Sequence, residues 1–186
     1  MRLILASASP RRADLLTAAG FVFDVVPVEL DERVRPGEPP DTYVGRLALE
    51  KARHVARRNP GTVVIGADTS VIVDGQILGK PTDDADAEAM LRMLSGRVHA
   101  VLTGIAVVRD EREASDTVST EVRFLQLSAG EMSWYVASGE PRDKAGAYAV
   151  QGLASRFVER IDGSYSNVVG LPVATVYRLL KSFGVV

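Results

Sequence analysis

The chain of 186 residues carries 22 Lys and Arg against 24 Asp and Glu, a formal net charge of −2 at pH 7. This balance excludes a broad basic surface that would bind nucleic acid through its phosphates. The absence of cysteine excludes disulfide frameworks, thiol nucleophiles and sites in which cysteine binds a metal. The length and the apolar content of 46% are typical of one globular domain, or of one core with two lobes, and a single domain is predicted over residues 1–186.

The N-terminal segment is apolar only from Leu3 to Ala6, a few residues before Pro10. A secretory signal needs a longer apolar region, so the pattern predicts a first strand. Ser9 and Pro10 then predict the N-cap and the first residue of a helix. No run of about 18 uncharged apolar residues follows, so we expect a cytoplasmic protein with no membrane partner.

Alternating helix and strand patterns continue to the C-terminus. The predicted elements are a strand over 21–28, a helix over about 41–58, a β-branched strand over 62–72 interrupted at 66–69, a hairpin at Asp74-Gly75, a helix capped by Thr82 or Asp83, strands over 98–108 and 117–127, a helix opened by a Ser128–Glu131 capping box, and a last helix from Pro172 to Leu180. This order predicts an α/β fold with a mixed sheet flanked by helices.

The segment Ser7-Ala8-Ser9-Pro10-Arg11-Arg12 lies where the first strand turns into the first helix. Unpaired N–H groups at a helix start attract anions, and two hydroxyls with two guanidiniums are suited to holding phosphates. The simpler interpretation, a serine N-cap followed by surface arginines, is the one that this segment alone favours.

Four charged residues stand out beyond that segment. Asp68 lies in an apolar run, where an ionised carboxylate needs a cation, a metal or hydrogen-bond donors. Lys51 falls inside the apolar stripe of its helix, Lys80 follows a strand, and Glu32 lies in an acidic loop where it could help hold a divalent ion. Each residue also has a structural alternative. Asp68 could cap a loop at a strand end, and Lys51 could extend its ammonium to solvent. Lys80 could be a turn residue, and Glu32 a solvated loop carboxylate. Together these residues indicate a cationic pocket with a buried carboxylate, which suits hydrolysis of a polyphosphate.

Ordered sequence blocks along essentially the whole chain resemble the Maf family of nucleoside triphosphate pyrophosphatases. The blocks are Leu5-Ala6-Ser7-Ala8-Ser9-Pro10-Arg11-Arg12, Asp31-Glu32, Glu50-Lys51-Ala52, Gly66-Ala67-Asp68-Thr69, Gly79-Lys80-Pro81, Leu94-Ser95-Gly96 with His99 and Thr103-Gly104, Asp143-Lys144-Ala145-Gly146-Ala147-Tyr148, Gln151-Gly152 and Ser164-Tyr165-Ser166-Asn167-Val168-Val169-Gly170-Leu171-Pro172. The resemblance implies an elongated, twisted mixed sheet like that of inosine triphosphate pyrophosphatases, with an active cleft between two lobes.

The resemblance also implies a reaction: cleavage of a nucleoside triphosphate between its α- and β-phosphates, with a divalent metal, Mg²⁺ or Mn²⁺. The roles implied for individual residues are proton acceptor for Asp68, phosphate binding for Ser9, Arg12, Lys51 and Lys80, and metal binding for Glu32 with Asp68. The subfamily that prefers dTTP and UTP carries Arg, Thr and Gln at three specificity positions, which Arg11, Thr69 and Gln151 match here.

Two alternatives stay open at the level of sequence. One is the same chemistry on 7-methyl-GTP or another modified nucleotide. The other is a nucleotide-binding regulator of cell division, a role attached to the family's name. The expected partner is the nucleotide substrate, and a homodimer is an expectation at family level only.

Overall fold

The computed structural model describes residues 2–186, and Met1, where the predicted N-terminal segment starts, lies outside the described residues. Within residues 2–186 there are seven strands: β1 (Leu3–Ala6), β2 (Asp24–Val25), β3 (Val63–Val73), β4 (Gln76–Leu78), β5 (Val98–Arg109), β6 (Arg112–Phe124) and β7 (Val158–Asp162). They form one sheet in the order β2-β1-β3-β5-β6-β7, with β4 paired to β3. The pairs of β1 with β2 and β3 are parallel, whereas β4 and β7 pair antiparallel with their neighbours. The predicted mixed sheet is confirmed.

Helices flank this sheet. The α-helices of the described chain are α1 (Pro10–Ala18), α2 (Pro40–Ala56), α3 (Asp84–Leu94), α4 (Ala129–Ala137), α5 (Tyr165–Val169) and α6 (Val173–Ser182). Short 3₁₀ helices cover Glu140–Asp143, Ala145–Ala147 and Leu153–Phe157. Across residues 2–186, none of the helices combines the length and the apolar character needed to cross a membrane.

The chain forms two compact units, of which the first holds the described residues up to Thr69 together with Thr103–Val118 and Gly170–Val186. Alternation along β1 builds its core, since successive side chains of a strand point to opposite faces. Leu3 and Leu5 pack in one cluster with residues of α1 and α6. The intervening residues of β1 pack in a second cluster with residues of α2. The sheet of the first unit is therefore covered on both faces.

The second unit consists of Ser70–Leu102 and Ser119–Val169. It contains β4, β7, α3, α4 and α5. The starts of α3 and α4 agree with the capping residues predicted from the sequence. Asp83 caps α3, and the predicted capping box of Ser128 and Glu131 opens α4. The prediction of a single domain over residues 1–186 stays a prediction.

Three predicted strands differ from the observed ones, whereas Ser9 occupies its predicted N-cap position. β6 runs over Arg112–Phe124, where the sequence predicts a strand over 117–127. β3 runs without interruption through residues 66–69, so Asp68 lies inside a strand and not at its end. The strand predicted over 21–28 is reduced to Asp24–Val25. At the start of α1, the side chain of Ser9 makes no capping hydrogen bond. β3 is buried on both faces, which favours a long uninterrupted strand. β2 is exposed and lies at the end of the strand order, so only a short strand forms there.

Candidate active site

A buried carboxylate lies at the centre of the candidate site. Asp68 points from the middle of β3 and is buried together with Lys51 of α2. The close approach of α2 to β3 depends on Gly66, because a Cβ at this position would lie only 2.1 Å from the carbonyl oxygen of Ala48. A glycine in a strand often marks such a close approach. The small residue thus brings the lysine of the helix to the carboxylate of the strand.

Lys51 joins two carboxylates. Its Nζ lies 2.7 Å from Oδ1 of Asp68 and 2.6 Å from Oε1 of Glu32. Burial raises the pKa of the Asp68 carboxyl above its ordinary value, although the charges of Lys51 and Arg12 act in the opposite direction. A carboxyl with a raised pKa is a stronger base, which is what a proton acceptor needs.

Arg12 of α1 is held by four acceptors within the first unit. Its Nε donates to the carbonyl oxygen of Gly170 at 2.9 Å. Nη1 donates to Oγ of Ser7 at 3.1 Å and to the carbonyl oxygen of Ala67 at 2.9 Å, and Nη2 donates to Oγ1 of Thr69 at 3.1 Å. A guanidinium has five N–H donors, so one N–H of Nη2 remains for a ligand. Arg12 therefore ties the start of α1 to β3 beside Asp68.

Thr69, predicted as a specificity residue, is a hydrogen-bond centre. Besides accepting from Arg12, its hydroxyl lies 2.9 Å from Oγ1 of Thr103 and donates to the carbonyl oxygen of Gly170 at 3.3 Å. These bonds fix the residue that directly follows the buried carboxylate of β3.

Ser9 and Arg11 lie at the start of α1 and are half-buried. The hydroxyl of Ser9 is not used as a cap, and the backbone N–H of Ser9 donates to Oγ of Ser7 at 3.2 Å. Both predicted residues are thus placed at the same helix start as Arg12.

Lys80 and Gln151 belong to the second unit, and both are exposed. Lys80 follows the end of β4, where the carbonyl oxygen of Gly79 accepts a 3.0 Å hydrogen bond from the N–H of Gly146. Gln151 precedes the 3₁₀ helix Leu153–Phe157. The structure brings Arg12, Lys51, Asp68 and Glu32 together within the first unit, and the roles of all predicted site residues stay predictions.

The donor set fits a hard divalent cation. Oxygens of Asp68 and Glu32 already turn toward one positive group, the ammonium of Lys51. Over residues 2–186, no group of three or more His, Asp or Glu side chains is arranged to hold a metal ion. Mg²⁺ is often held by one or two carboxylates and completed by water and substrate phosphates, and this pair matches that pattern.

Sequence reasoning missed the side chains that anchor the loop of Glu32. The hydroxyl of Tyr43 donates to the carbonyl oxygen of Glu32 at 2.8 Å, and Arg46 forms an ion pair with Glu38. Tyr43 and Arg46 are three positions apart on one helix, which is a detectable signal of a shared face. Their partners lie across a proline-bearing loop, whose course the sequence does not predict.

Comparison with solved structures first defines the class of fold. A Ham1 protein from Staphylococcus aureus aligns with a TM-score of 0.56 at 14% identity, covering 98% of this chain and 99% of that chain. A HAM1 protein from Coxiella burnetii aligns with a TM-score of 0.54 at 15% identity and the same coverage. At such identities the likeness concerns the fold alone, and it confirms the predicted α/β fold.

Sequence comparison then identifies the family. The family model described as "Maf-like protein" matches residues 2–183. A protein of Anaeromyxobacter dehalogenans (strain 2CP-C) named dTTP/UTP pyrophosphatase is 54% identical, covering 98% of this chain and 94% of the relative. Proteins with the same name from Symbiobacterium thermophilum and Koribacter versatilis are 52% and 50% identical, covering 98% and 100% of this chain and 94% and 96% of theirs. The chain belongs to the Maf family.

Proposed function

We propose that this protein hydrolyses nucleoside triphosphates between the α- and β-phosphates, with dTTP and UTP preferred, and releases a nucleoside monophosphate and pyrophosphate. The observation that carries the proposal is the buried Asp68–Lys51 pair, which lies beside an arginine anchored at a helix start. The names of the relatives, which are about half identical over nearly the whole chain, support the same activity.

Asp68 takes the proton of the attacking water. Its burial raises its pKa and makes it a better base, while the charge of Lys51 acts in the opposite direction and its ammonium orients the carboxylate through a 2.7 Å hydrogen bond. As the water oxygen attacks the α-phosphorus, the bond to the bridging oxygen breaks and pyrophosphate leaves.

Positive charge and N–H donors stabilise the phosphates. Ser9, Lys51 and Lys80 supply a hydroxyl and two ammonium groups, and Arg12 supplies its charge and its one remaining N–H. Glu32 and Asp68 would hold the divalent cation, Mg²⁺ or Mn²⁺. When bound, such an ion neutralises phosphate oxygens and makes pyrophosphate a better leaving group.

We assign the preference for a thymine or uracil base to Gln151, Arg11 and Thr69. Gln151 is exposed, and an amide both donates and accepts, so it matches the O4 and N3 edge of thymine or uracil. The hydroxyl of Thr69 already bonds Arg12 and Thr103, so it contributes through the position of that arginine. We place the reaction in the cytoplasm, where nucleoside triphosphates are available.

A substrate panel tests the proposal. Purified protein with Mg²⁺ or Mn²⁺ is given dTTP, UTP, CTP, inosine triphosphate and 7-methyl-GTP, and monophosphate and pyrophosphate are quantified. We expect dTTP and UTP to be cleaved far faster than the others. In water labelled with heavy oxygen, attack at the α-phosphorus places the label in the monophosphate. Release of orthophosphate alone would refute the cleavage site, and preference for 7-methyl-GTP would refute the substrate assignment.

Light scattering on the same sample checks the expected homodimer.

A further inference from the structure

The loop over residues 29–38 has no helix or strand, yet it delivers a carboxylate to the buried lysine of the site. Oε1 of Glu32 lies 2.6 Å from Nζ of Lys51, although the Glu32 side chain is about half exposed (47%). An exposed side chain on an irregular segment does not hold such a position by itself, because ordering it costs conformational entropy. The loop must therefore be fixed by contacts at other points.

One fixed point is an ion pair that is far less exposed than Glu32. The guanidinium of Arg46 grips Glu38 with two hydrogen bonds, Nε to Oε1 at 2.5 Å and Nη2 to Oε2 at 2.7 Å. Only 12% of the Arg46 side chain and 6% of the Glu38 side chain are exposed. Two-point pairs of this kind have a defined geometry as well as charge, which distinguishes them from ordinary surface ion pairs.

The same guanidinium also reaches the middle of the loop. Nη2 of Arg46 donates to the carbonyl oxygen of Arg33, the residue after Glu32, at 3.2 Å. Oε2 of Glu38 in turn accepts from the backbone N–H of Arg35 at 3.0 Å. Arg46 and Glu38 therefore bind the backbone of the loop and not only each other.

Tyr43 supplies the second fixed point. Its hydroxyl donates to the carbonyl oxygen of Glu32 itself at 2.8 Å. The guanidinium carbon of Arg46 lies 5.6 Å from the centre of the Tyr43 ring, so the two side chains of α2 support each other. Burial raises the pKa of Tyr43 to about 12, so the hydroxyl stays a donor over any ordinary assay pH.

We propose that Arg46, with Glu38 and Tyr43, forms a clasp that fixes the loop over residues 29–38 on α2 and so delivers Glu32 to the Lys51–Asp68 pair. Arg46 is thus a positioning residue, which acts on the reaction through Glu32. The expected effect on catalysis rests on the proposed function, whereas the expected effect on the order of the loop does not.

The chain offers a matched control on the same helix. Arg53 of α2 also grips a carboxylate with two hydrogen bonds, to Glu113 at 2.7 and 2.6 Å, but it does not contact the Glu32 loop in the structure. Replacing Arg46 or Arg53 by Met removes a two-point ion pair in each case, but the Arg53–Glu113 pair is more exposed, and Arg46 also pairs with Glu50. Only the first substitution releases the loop.

The kinetic test measures kcat/KM for dTTP and the Mg²⁺ concentration at half-maximal rate. We expect Arg46→Met to lower kcat/KM at least tenfold and to raise the required Mg²⁺ concentration, since a small displacement of a catalytic group has a large effect on rate. Arg53→Met should stay within about twofold of the parent. Glu38→Gln, which keeps the packing and removes the charge, should resemble Arg46→Met, and Arg46→Lys should lie between them and the parent.

A double substitution separates positioning from general stability. In a Glu32→Gln background the group that the clasp delivers is already lost, so adding Arg46→Met should change kcat/KM by less than about twofold. A further tenfold loss, or an Arg46→Met variant as active as Arg53→Met, would overturn the proposal.

Hydrogen–deuterium exchange tests the clasp without any activity. In Arg46→Met, amides of residues 29–38 should exchange at least tenfold faster, while those of β3 keep their protection. Unchanged exchange in this loop would refute the clasp. A parent protein that cleaves no nucleotide would refute the proposed function instead, and the exchange experiment would still decide the clasp.

Discussion

In the proposed reaction Asp68 meets two opposed demands, since it is buried among β-strand residues and would have to be ionised to accept a proton. Removing the carboxylate from water raises its pKa, and the neighbouring charges of Lys51 and Arg12 only partly offset this effect. A group with a raised native pKa favours the folded state when it is protonated and disfavours it when it is ionised. The proposed catalytic role of Asp68 therefore lowers the stability of the folded protein.

Asp68→Asn should abolish turnover and raise the melting temperature at pH 7, because the amide replaces a carboxylate whose ionised form is disfavoured by burial. Lys51 keeps Glu32 as its partner in this variant. The gain should shrink at acid pH, because there the parent also carries a neutral carboxyl. Calorimetry at several pH values and pyrophosphate assays check both parts. Near-normal pyrophosphate release would contradict the assignment of the base.

Arg12 donates to four acceptors of the protein, and in the proposed function its remaining N–H binds substrate phosphate. A lysine has three donors on a single atom and cannot reach the same acceptors.

Arg12→Lys should lower the free energy of unfolding by about 1–3 kcal/mol and the activity by more than tenfold, since carbonyls near Asp68 lose their donors. Denaturant unfolding and kcat/KM measure the two effects. Arg2→Lys, in an exposed ion pair with Asp24, serves as control and should be nearly neutral. An equally stable and active Arg12→Lys variant would show that the charge alone matters.

At the scale of elements, the site depends on how closely α2 lies against the sheet of the first unit. Two glycines allow this approach: a Cβ at Gly66 of β3 would lie 2.1 Å from the carbonyl oxygen of Ala48, and a Cβ at Gly104 of β5 would lie 2.3 Å from that of Val44. Real Cβ atoms do not approach backbone so closely, so any side chain there moves the helix.

Gly66→Ala should destabilise the fold by more than about 2 kcal/mol and lower kcat/KM at least tenfold, because it pushes α2 and Lys51 away from β3. Gly45→Ala is the matched control within α2. Its Cβ would meet only Oγ1 of Thr117 at an ordinary 3.5 Å, and alanine favours the helix by about 0.5–1 kcal/mol. Equal stability of both variants in urea would contradict the close-approach argument.

At the scale of the whole molecule, a net charge of −2 is too small for overall repulsion to control stability with pH. The dependence of stability on pH is instead controlled by individual buried groups, and His99 of the second unit is the clearest example. Its Nε2 lies 2.8 Å from the hydroxyl of Tyr148, within a cluster that includes Phe124. Burial lowers the pKa of His99 to about 4.

A lowered native pKa contributes stability that is fully present above the unfolded value of about 6.5 and is lost as the pH falls through about 4. Between pH 7.5 and pH 5 the loss is about 2 kcal/mol. His99→Phe removes this titration, so the drop in melting temperature over that interval should shrink by about 4–8 °C. An unchanged drop in scanning calorimetry would show that His99 does not control acid stability.

The sequence by itself determined much of the fold. The alternation of Leu3, Ile4 and Leu5 specifies a strand buried on both faces, and the capping residues Asp83 and Ser128 specify helix starts, because these signals are local. Lys51 within an apolar stripe and Asp68 within an apolar run were also detectable, since a buried charge contradicts its surroundings.

Only the tertiary structure decided how these charges are paired. Lys51 and Asp68 are 17 positions apart, and their contact requires a glycine that lets α2 approach β3. The position of Glu32 follows from a clasp on an irregular loop, and the four bonds of Arg12 follow from chain segments up to 158 positions apart. Periodicity and capping specify the conformation of each element, but an ion pair depends on the docking of elements, which no local pattern encodes.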